Sequence, residues 1–362
     1  MAPALASTPE LSGPMISVQD LMKKDLTSVP PIYLIPEKDN LKVLDVQASS
    51  PAIPTIDLDL LVSSDSDLEK LHSTCKDWGF FQLVNHGVGT SLLGKLKRDI
   101  EEFYDLPSKE KKKYQIREEE VEGYGGLPRV RGQLDWGDRF YMLTNPTHAR
   151  KSHLFPKLPA HLRSTLEEYL TEMQKLGMKL IAYMAKALKI QGKETQEMFD
   201  DGFQSLKMTY YPPCPEPDRV MGITNHSDAS GLTILNQLNG VDGLQVQKDG
   251  IWFPVNVLPD ALVVNVGDIL EIMTNGAYKS IEHRATANPE KERISVAFFF
   301  SPRLEAEVGP VTSLLDPSNP PMFKTVPMEK YVQNLFSRKL AKSKLKLNQS
   351  KTETDQEADK HI

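Results

Sequence analysis

Two imidazoles and a carboxylate are the groups in this sequence best placed to do chemistry. His226 and Asp228 stand one residue apart in His226-Ser227-Asp228, and His283 lies in Ser280-Ile281-Glu282-His283-Arg284. In a strand, side chains at i and i+2 leave the same face, so residues 226–228 would aim one nitrogen and one oxygen together. A second imidazole from a distant strand would complete two nitrogens and one oxygen around a point. That set occupies one face of an octahedral ion, leaves the opposite positions open and suits ferrous iron. Arg293-Ile294-Ser295 repeats the spacing of two. A guanidinium takes a carboxylate through two parallel charge-assisted bonds, and a neighbouring hydroxyl donates a third. This is what the far carboxylate of a dicarboxylic keto-acid needs while its near end chelates the metal. A lone His-x-Asp is common by chance; the metal reading rests on the ordered series of His-x-Asp, His and Arg-x-Ser between strand-like runs.

Those side chains need strands to hold them, and the chain supplies them after Phe203. Short β-rich runs occupy 207–211, 220–224, 232–238, 244–247, 252–255, 261–266, 278–285 and 294–300, separated by Gly and Pro punctuation. The pattern predicts a two-sheet jelly roll or small barrel. Upstream, 53–58 and 79–84 read as strands. Helices are expected over 66–78 (capped by Ser66), 91–106 and 159–190, the last with Leu162, Leu166, Leu170, Met173, Leu180 and Met184 at helical spacing. Residues 120–140 read as a Gly-rich loop rimming a pocket; they contain no phosphate-cradling pattern. His86, in Asn85-His86-Gly87, reads as a turn imidazole bonded to backbone rather than a ligand.

The bulk properties exclude several classes. The 362 residues carry 43 basic and 49 acidic side chains, a net charge of −6, without a concentrated basic face. Nucleic acid is therefore not an expected partner. No apolar run approaches the length of a membrane span, and the start lacks a secretion signal. Cys75 and Cys214 are the only cysteines, too few for a disulfide framework. A cytoplasmic monomer is expected.

Longer motifs add a resemblance. Residues from about 53 to 335 resemble the plant 2-oxoglutarate- and Fe(II)-dependent dioxygenases. The carrying segments are 78–87 (Trp78 through Gly87), Tyr210-Tyr211-Pro212-Pro213-Cys214-Pro215, His226-Ser227-Asp228, Asn265-Val266-Gly267-Asp268 and Arg293-Ile294-Ser295. Ile16 through Leu21 and Leu134-Asp135-Trp136 are similar to the branch of senescence-related dioxygenases, dioxygenase-type norcoclaurine synthase and codeine and thebaine demethylases.

The resemblance implies an α+β fold: a double-stranded β-helix (jelly roll) core flanked by helices, with a helical N-terminal region. The expected division is an arm at 1–50, a mixed helical region at 51–200, the catalytic jelly roll at 201–303, a helical segment at 304–338 and a disordered tail at 339–362, the arm and the tail read from their polar composition. The resemblance implies Fe(II) on His226, Asp228 and His283. The co-substrate 2-oxoglutarate would lie on Arg293 and Ser295 with Tyr211 donating to it, O2 would be the oxidant, and ascorbate would keep the iron ferrous. Lys207 and Phe299 match pocket-lining positions, Phe299 stacking on an aromatic small-molecule substrate. Thr209 stands where the family usually has Asn, and residues 125–132 are shorter than their usual counterpart. Phe203, Phe300, Tyr124 and Met142 would complete an aromatic pocket. The expected reaction is hydroxylation, demethylation or desaturation of a plant specialised metabolite, with release of succinate and CO2. The rival expectations are an iron oxidase that uses no keto-acid and a non-catalytic binding protein.

Overall fold

The computed structural model describes residues 17–24, 26, 28–35, 52–118, 120–126, 133–190 and 192–337. The tail with His361, much of the arm and residues 127–132 of the expected entrance loop lie outside them. In chain order the strands are β1 (Thr55–Asp57), β2 (Phe80–Val84), β3 (Gly123–Tyr124), β4 (Asp138–Asn145), β5 (Phe203–Tyr211) and β6 (Ile223–His226). They continue as β7 (Leu232–Gln237), β8 (Leu244–Lys248), β9 (Ile251–Pro254), β10 (Leu262–Val266), β11 (His283–Ala285) and β12 (Arg293–Ser301).

β10 reads Leu-Val-Val-Asn-Val, and all of it is buried. Such a β-branched run suits a strand covered on both faces. It sits inside an eight-stranded sheet ordered β1-β2-β10-β7-β12-β5-β4-β3. Strands from both sides of residue 201 share this sheet. A four-stranded sheet, β6-β11-β8-β9, supplies the second layer. Side chains from both sheets line one cavity, in the jelly-roll arrangement.

The helix Ala160–Ala187 packs on the back of the large sheet, against β7 and β12. Its apolar stripe is buried from Leu162 through Met184, and each such side chain contributes about 1.5–3 kcal/mol. Gly177 is the point of closest approach: a Cβ there would stand 2.7 Å from Phe300 Cδ1. The helix Asp65–Asp77 is capped by Ser64, whose hydroxyl accepts from Asp67 N, two residues before the expected Ser66.

The Gly-rich stretch departs from expectation. Its end turns into β4, an eight-residue strand with alternate residues buried. The inward positions include Asp138 and Thr144 beside Phe140 and Met142, so hydropathy alone hides the period of two.

Asp138 has a structural use. It accepts from Val18 N (2.8 Å), Gln19 N (3.3 Å), Tyr124 Oη (2.9 Å) and Ser17 Oγ. These bonds tie the described part of the arm to the body, where Val18, Leu21, Val29 and Tyr33 bury against Trp136 and Cys214. Burial raises the Asp138 carboxyl above the ordinary carboxylate range, and the donors only partly offset it.

Candidate metal and co-substrate site

β6 and β11 are antiparallel neighbours, and His226 pairs directly with His283. The second imidazole thus arrives from a strand distant in sequence and adjacent in space. The strand premise for residues 226–228 needs correction. β6 ends at His226, and Asp228 lies just beyond it in a non-strand segment. Asp228 is fixed instead by its own carbonyl, which accepts from Asp268 N at 2.7 Å.

The side chains nevertheless converge. Asp228 Oδ1 lies 3.6 Å from His226 Nε2 and 3.7 Å from His283 Nε2. The three donor atoms fall within 4.8 Å of one another. Each imidazole donates Nδ1–H to a backbone carbonyl: His226 to Thr224 at 2.8 Å, His283 to Ile281 at 3.2 Å. That fixes the tautomer whose Nε2 lone pair faces the centre. Phe80 stands edge-on to His283 with centroids 5.1 Å apart and holds its ring plane.

The carboxylate is oriented in the same way. Its Oδ2 accepts from Thr233 Oγ1 at 2.7 Å and Asn265 Nδ2 at 2.9 Å, which leaves Oδ1 for the centre. Burial opposes ionisation of Asp228, but the two imidazoles, Lys207 and the Asn265 amide outweigh it and hold the carboxyl well below its usual range. His226 is pushed down to about 3, first by burial and then by the neighbouring His283. The donor set is two imidazole nitrogens and one carboxylate oxygen, which fits a ferrous ion.

The guanidinium and hydroxyl expected to take the keto-acid lie in the same cavity. Arg293 and Ser295 both line it from β12. Arg293 is 2% exposed, and its bonds go to neutral groups: Gln237 Oε1 at 3.3 and 3.4 Å and Ser295 Oγ at 3.4 Å. Among the described residues no carboxylate is within ion-pair distance of it. A buried guanidinium so placed is costly unless an anion joins it. Tyr211 pairs with Arg293 across β5 and β12, and its ring lies under the guanidinium at 5.0 Å. Burial raises the Tyr211 phenol, with Arg293 opposing, so it stays a neutral donor.

The open cavity, counted with the solvent at its mouth, spans about 490 Å³. Lys207 and Phe299 line it as expected positions, with the Lys207 ammonium 5.4 Å from the Phe299 ring centroid. The other expected wall residues are elsewhere. Tyr124 is outside this cavity: its phenol is spent on Asp138 and its ring packs against Phe103 and Phe140. Thr209 is buried beside Tyr211 on the same strand face and does not line the cavity. Met142 and Phe300 belong to the core behind the sheet. His86 makes the expected turn, accepting from Val88 N at 3.1 Å.

Sequence reasoning missed the supporting residues Thr233, Asn265 and Gln237. Asn265 offered a signal: it is the one polar residue in the apolar run 262–266, and a buried amide needs a partner. Thr233 and Gln237 sit in an ordinary alternating strand and offered none.

Comparison with known proteins bears on the same features. Residues 202–302 match the model of the 2OG-Fe(II) oxygenase superfamily. Residues 53–160 match the non-haem dioxygenase in morphine synthesis N-terminal model. The chain is 49% identical to Protein SRG1 of Arabidopsis thaliana over 90% of its length and 93% of the relative's. It is 46% identical to codeine O-demethylase of Papaver somniferum, over 90% and 92%. The crystal structure of JOX2 in complex with 2OG, Fe, and JA superposes with a TM-score of 0.84 at 33% identity, covering 94% of this chain and 99% of that one. A His-Asp-His centre, a buried guanidinium without a counter-ion and these likenesses agree: the chain belongs to the 2OG-Fe(II) oxygenase superfamily and is a 2-oxoglutarate-dependent dioxygenase that uses iron.

Proposed function

We propose that His226, Asp228 and His283 hold the iron, that Arg293 and Ser295 take the distal carboxylate of 2-oxoglutarate, and that Tyr211 donates to it. The substrate is an aromatic plant metabolite, alkaloid or phenolic, oxidised at a C–H bond near the metal. When bound, ferrous iron and the keto-acid supply the oxidant, with succinate and CO2 as co-products. The chain's own contribution is position and exclusion of water. Arg293 and Ser295 set where the keto-acid ends, and Thr233 and Asn265 keep one carboxylate oxygen pointed at the centre. Phe80, Ile223, Leu235 and Phe299 give the remaining wall an apolar surface.

Oxidation of a methoxy carbon gives a hemiacetal that collapses to a phenol and formaldehyde without a further catalytic group. O-Demethylation is therefore the reading we favour within hydroxylation chemistry. It is supported by relatives that include codeine O-demethylase and thebaine 6-O-demethylase of Papaver somniferum and oxoglutarate-dependent flavonoid 7-O-demethylase 1 of Ocimum basilicum. A cytoplasmic monomer completes the reading; the free, buried Cys75 and Cys214 suit a reducing compartment.

The observation that carries the proposal is the Arg293 cation, buried in the cavity that holds the His-Asp-His cluster with no carboxylate of the described residues within ion-pair distance. The test is incubation of the chain with iron, O2, 2-oxoglutarate and a plant metabolite extract, compared by mass spectrometry with a protein-free control. Loss of a CH2 from an aromatic ether, with matching succinate, is expected. Succinate accompanied only by gain of oxygen would contradict demethylation, and no keto-acid-dependent change would contradict the whole reading.

A further inference from the structure

His226 is carried by the outermost strand of the four-stranded sheet, where the backbone has a neighbouring strand on one side only. β6 is also irregular just before the ligand. His226 pairs with His283 and Ile223 with Ala285, so three steps along β6 answer two along β11. The extra residue makes a bulge at Thr224-Asn225, opposite Arg284. A bulge leaves part of the ladder unpaired and re-aims the side chains beside it. An edge strand interrupted in this way has few sheet bonds with which to fix the direction of His226.

The missing bonds come from outside the sheet. Thr224 N donates to Asp135 Oδ1 at 3.0 Å, and Thr224 O accepts the His226 Nδ1–H at 2.8 Å. Carboxylate, one residue of backbone and imidazole thus form a relay that ends at the ring carrying Nε2. Asp135 stands on a firm mount. Its neighbour Trp136 is fully buried, and donates its amide to Met221 O at 2.7 Å and its indole N–H to Pro212 O at 3.2 Å. On the other side Leu134 N donates to Ile32 O at 2.8 Å. Residues 134–136 therefore lie beside 221–224, and the Asp135 carboxylate takes the place of a strand carbonyl at the bulge. Without that acceptor the Thr224 amide would be left unmet at a half-buried site, and its peptide would turn toward water. The Thr224 carbonyl would move with it, and the bond that sets the tautomer and angle of His226 would weaken.

We propose that Asp135 is a positioning residue for the metal centre: through the Thr224 backbone it sets the direction of His226. Asp135 does not line the cavity. The inference rests on the reading of His226 as a ligand given above, and adds to it a residue that touches neither metal nor substrate.

The test is anaerobic equilibrium dialysis of the full chain against ferrous iron, with the visible absorption of the cobalt(II)-loaded chain as a report on ligand geometry. D135L removes the acceptor at similar volume, D135E moves it by one carbon, and D135N keeps an oxygen in place. L134A loosens the same segment against the arm and leaves Asp135 alone. D135L is expected to bind iron about tenfold more weakly, with a changed cobalt spectrum. D135E should shift both in the same direction. D135N and L134A should stay within about threefold of the wild type and keep its spectrum, although L134A melts lower. Wild-type affinity and spectrum in D135L would overturn the proposal; if D135L does not fold, the same result in D135E overturns it. A loss in D135N as large as in D135L would make the charge responsible and not the acceptor, which also overturns it. So does an equal loss in L134A, which would mean general loosening. Absence of iron binding in the wild type would instead strike the reading of His226 as a ligand, and this inference with it.

Discussion

His226 and His283 face each other across β6 and β11 with ring centroids 4.3 Å apart, and each donates Nδ1–H to the carbonyl two residues before it. The matched back-bonds hold both Nε2 atoms toward Asp228. On His226, a second proton would meet burial first and then the neighbouring His283. His283→Gln keeps the bulk against Phe80 but removes the ligand nitrogen. Succinate production should fall below detection while the metal-free melting temperature stays within a few degrees of wild type. Measured turnover near the wild-type rate would remove His283 from the centre.

Thr233 and Asn265 act through Asp228. Thr233→Val removes one donor from Oδ2 at nearly constant volume. Loss of such a supporting contact typically weakens metal affinity about 10–100-fold, and equilibrium dialysis with ferrous iron would measure it. The variant also carries a pH signature. The folded-state carboxyl of Asp228 lies below its ordinary value, so its contribution to stability is present above that value. The contribution is lost as pH falls through the folded value. With a donor removed, the folded value rises and acid destabilisation begins at higher pH. Metal-free melting curves through the acidic range should show that upward displacement.

Arg293→Ala should raise the KM for 2-oxoglutarate steeply while iron still binds. Two charge-assisted bonds of about 1.5–3 kcal/mol each correspond to at least about a hundredfold. Initial rates of succinate formation against keto-acid concentration check it. An unchanged KM would contradict the assignment.

Asp138→Ala tests the arm. It strands the amides of Val18 and Gln19 and the hydroxyls of Ser17 and Tyr124, each unmet buried donor costing about 1–3 kcal/mol. The arm should detach, with faster proteolysis near residues 17–33 and a lower melting temperature. Intact resistance would mean that the apolar packing of Val18 and Tyr33 suffices without the carboxylate.

The His-Asp-His cluster and the Arg-x-Ser pair that shares its cavity were legible because their signal is a spacing: His226-x-Asp228, His283 and Arg293-x-Ser295 are distinctive residue types in a fixed order. The strands of the second half were legible from period two and turn punctuation. β4 was not, because Asp138 and Thr144 point inward where an apolar residue is expected, and the arm explains only the first of them. Tyr124 and Phe300 were aromatic in the right region of sequence, but the face a side chain takes is set by register, which residue type does not reveal. Asp228 joins the two imidazoles from beyond the end of β6, so the convergence expected of a continuous strand is reached from one that stops two residues early. Thr233 and Gln237 act through partners brought near only by folding.

The central claim is that His226, Asp228 and His283 together bind one ferrous ion. Anaerobic equilibrium dialysis of the full chain against ferrous iron, wild type beside the combined His226→Ala, Asp228→Ala and His283→Ala variant, tests it most directly. The account predicts about one iron per wild-type chain and essentially none in the variant. Equal iron in both would contradict it.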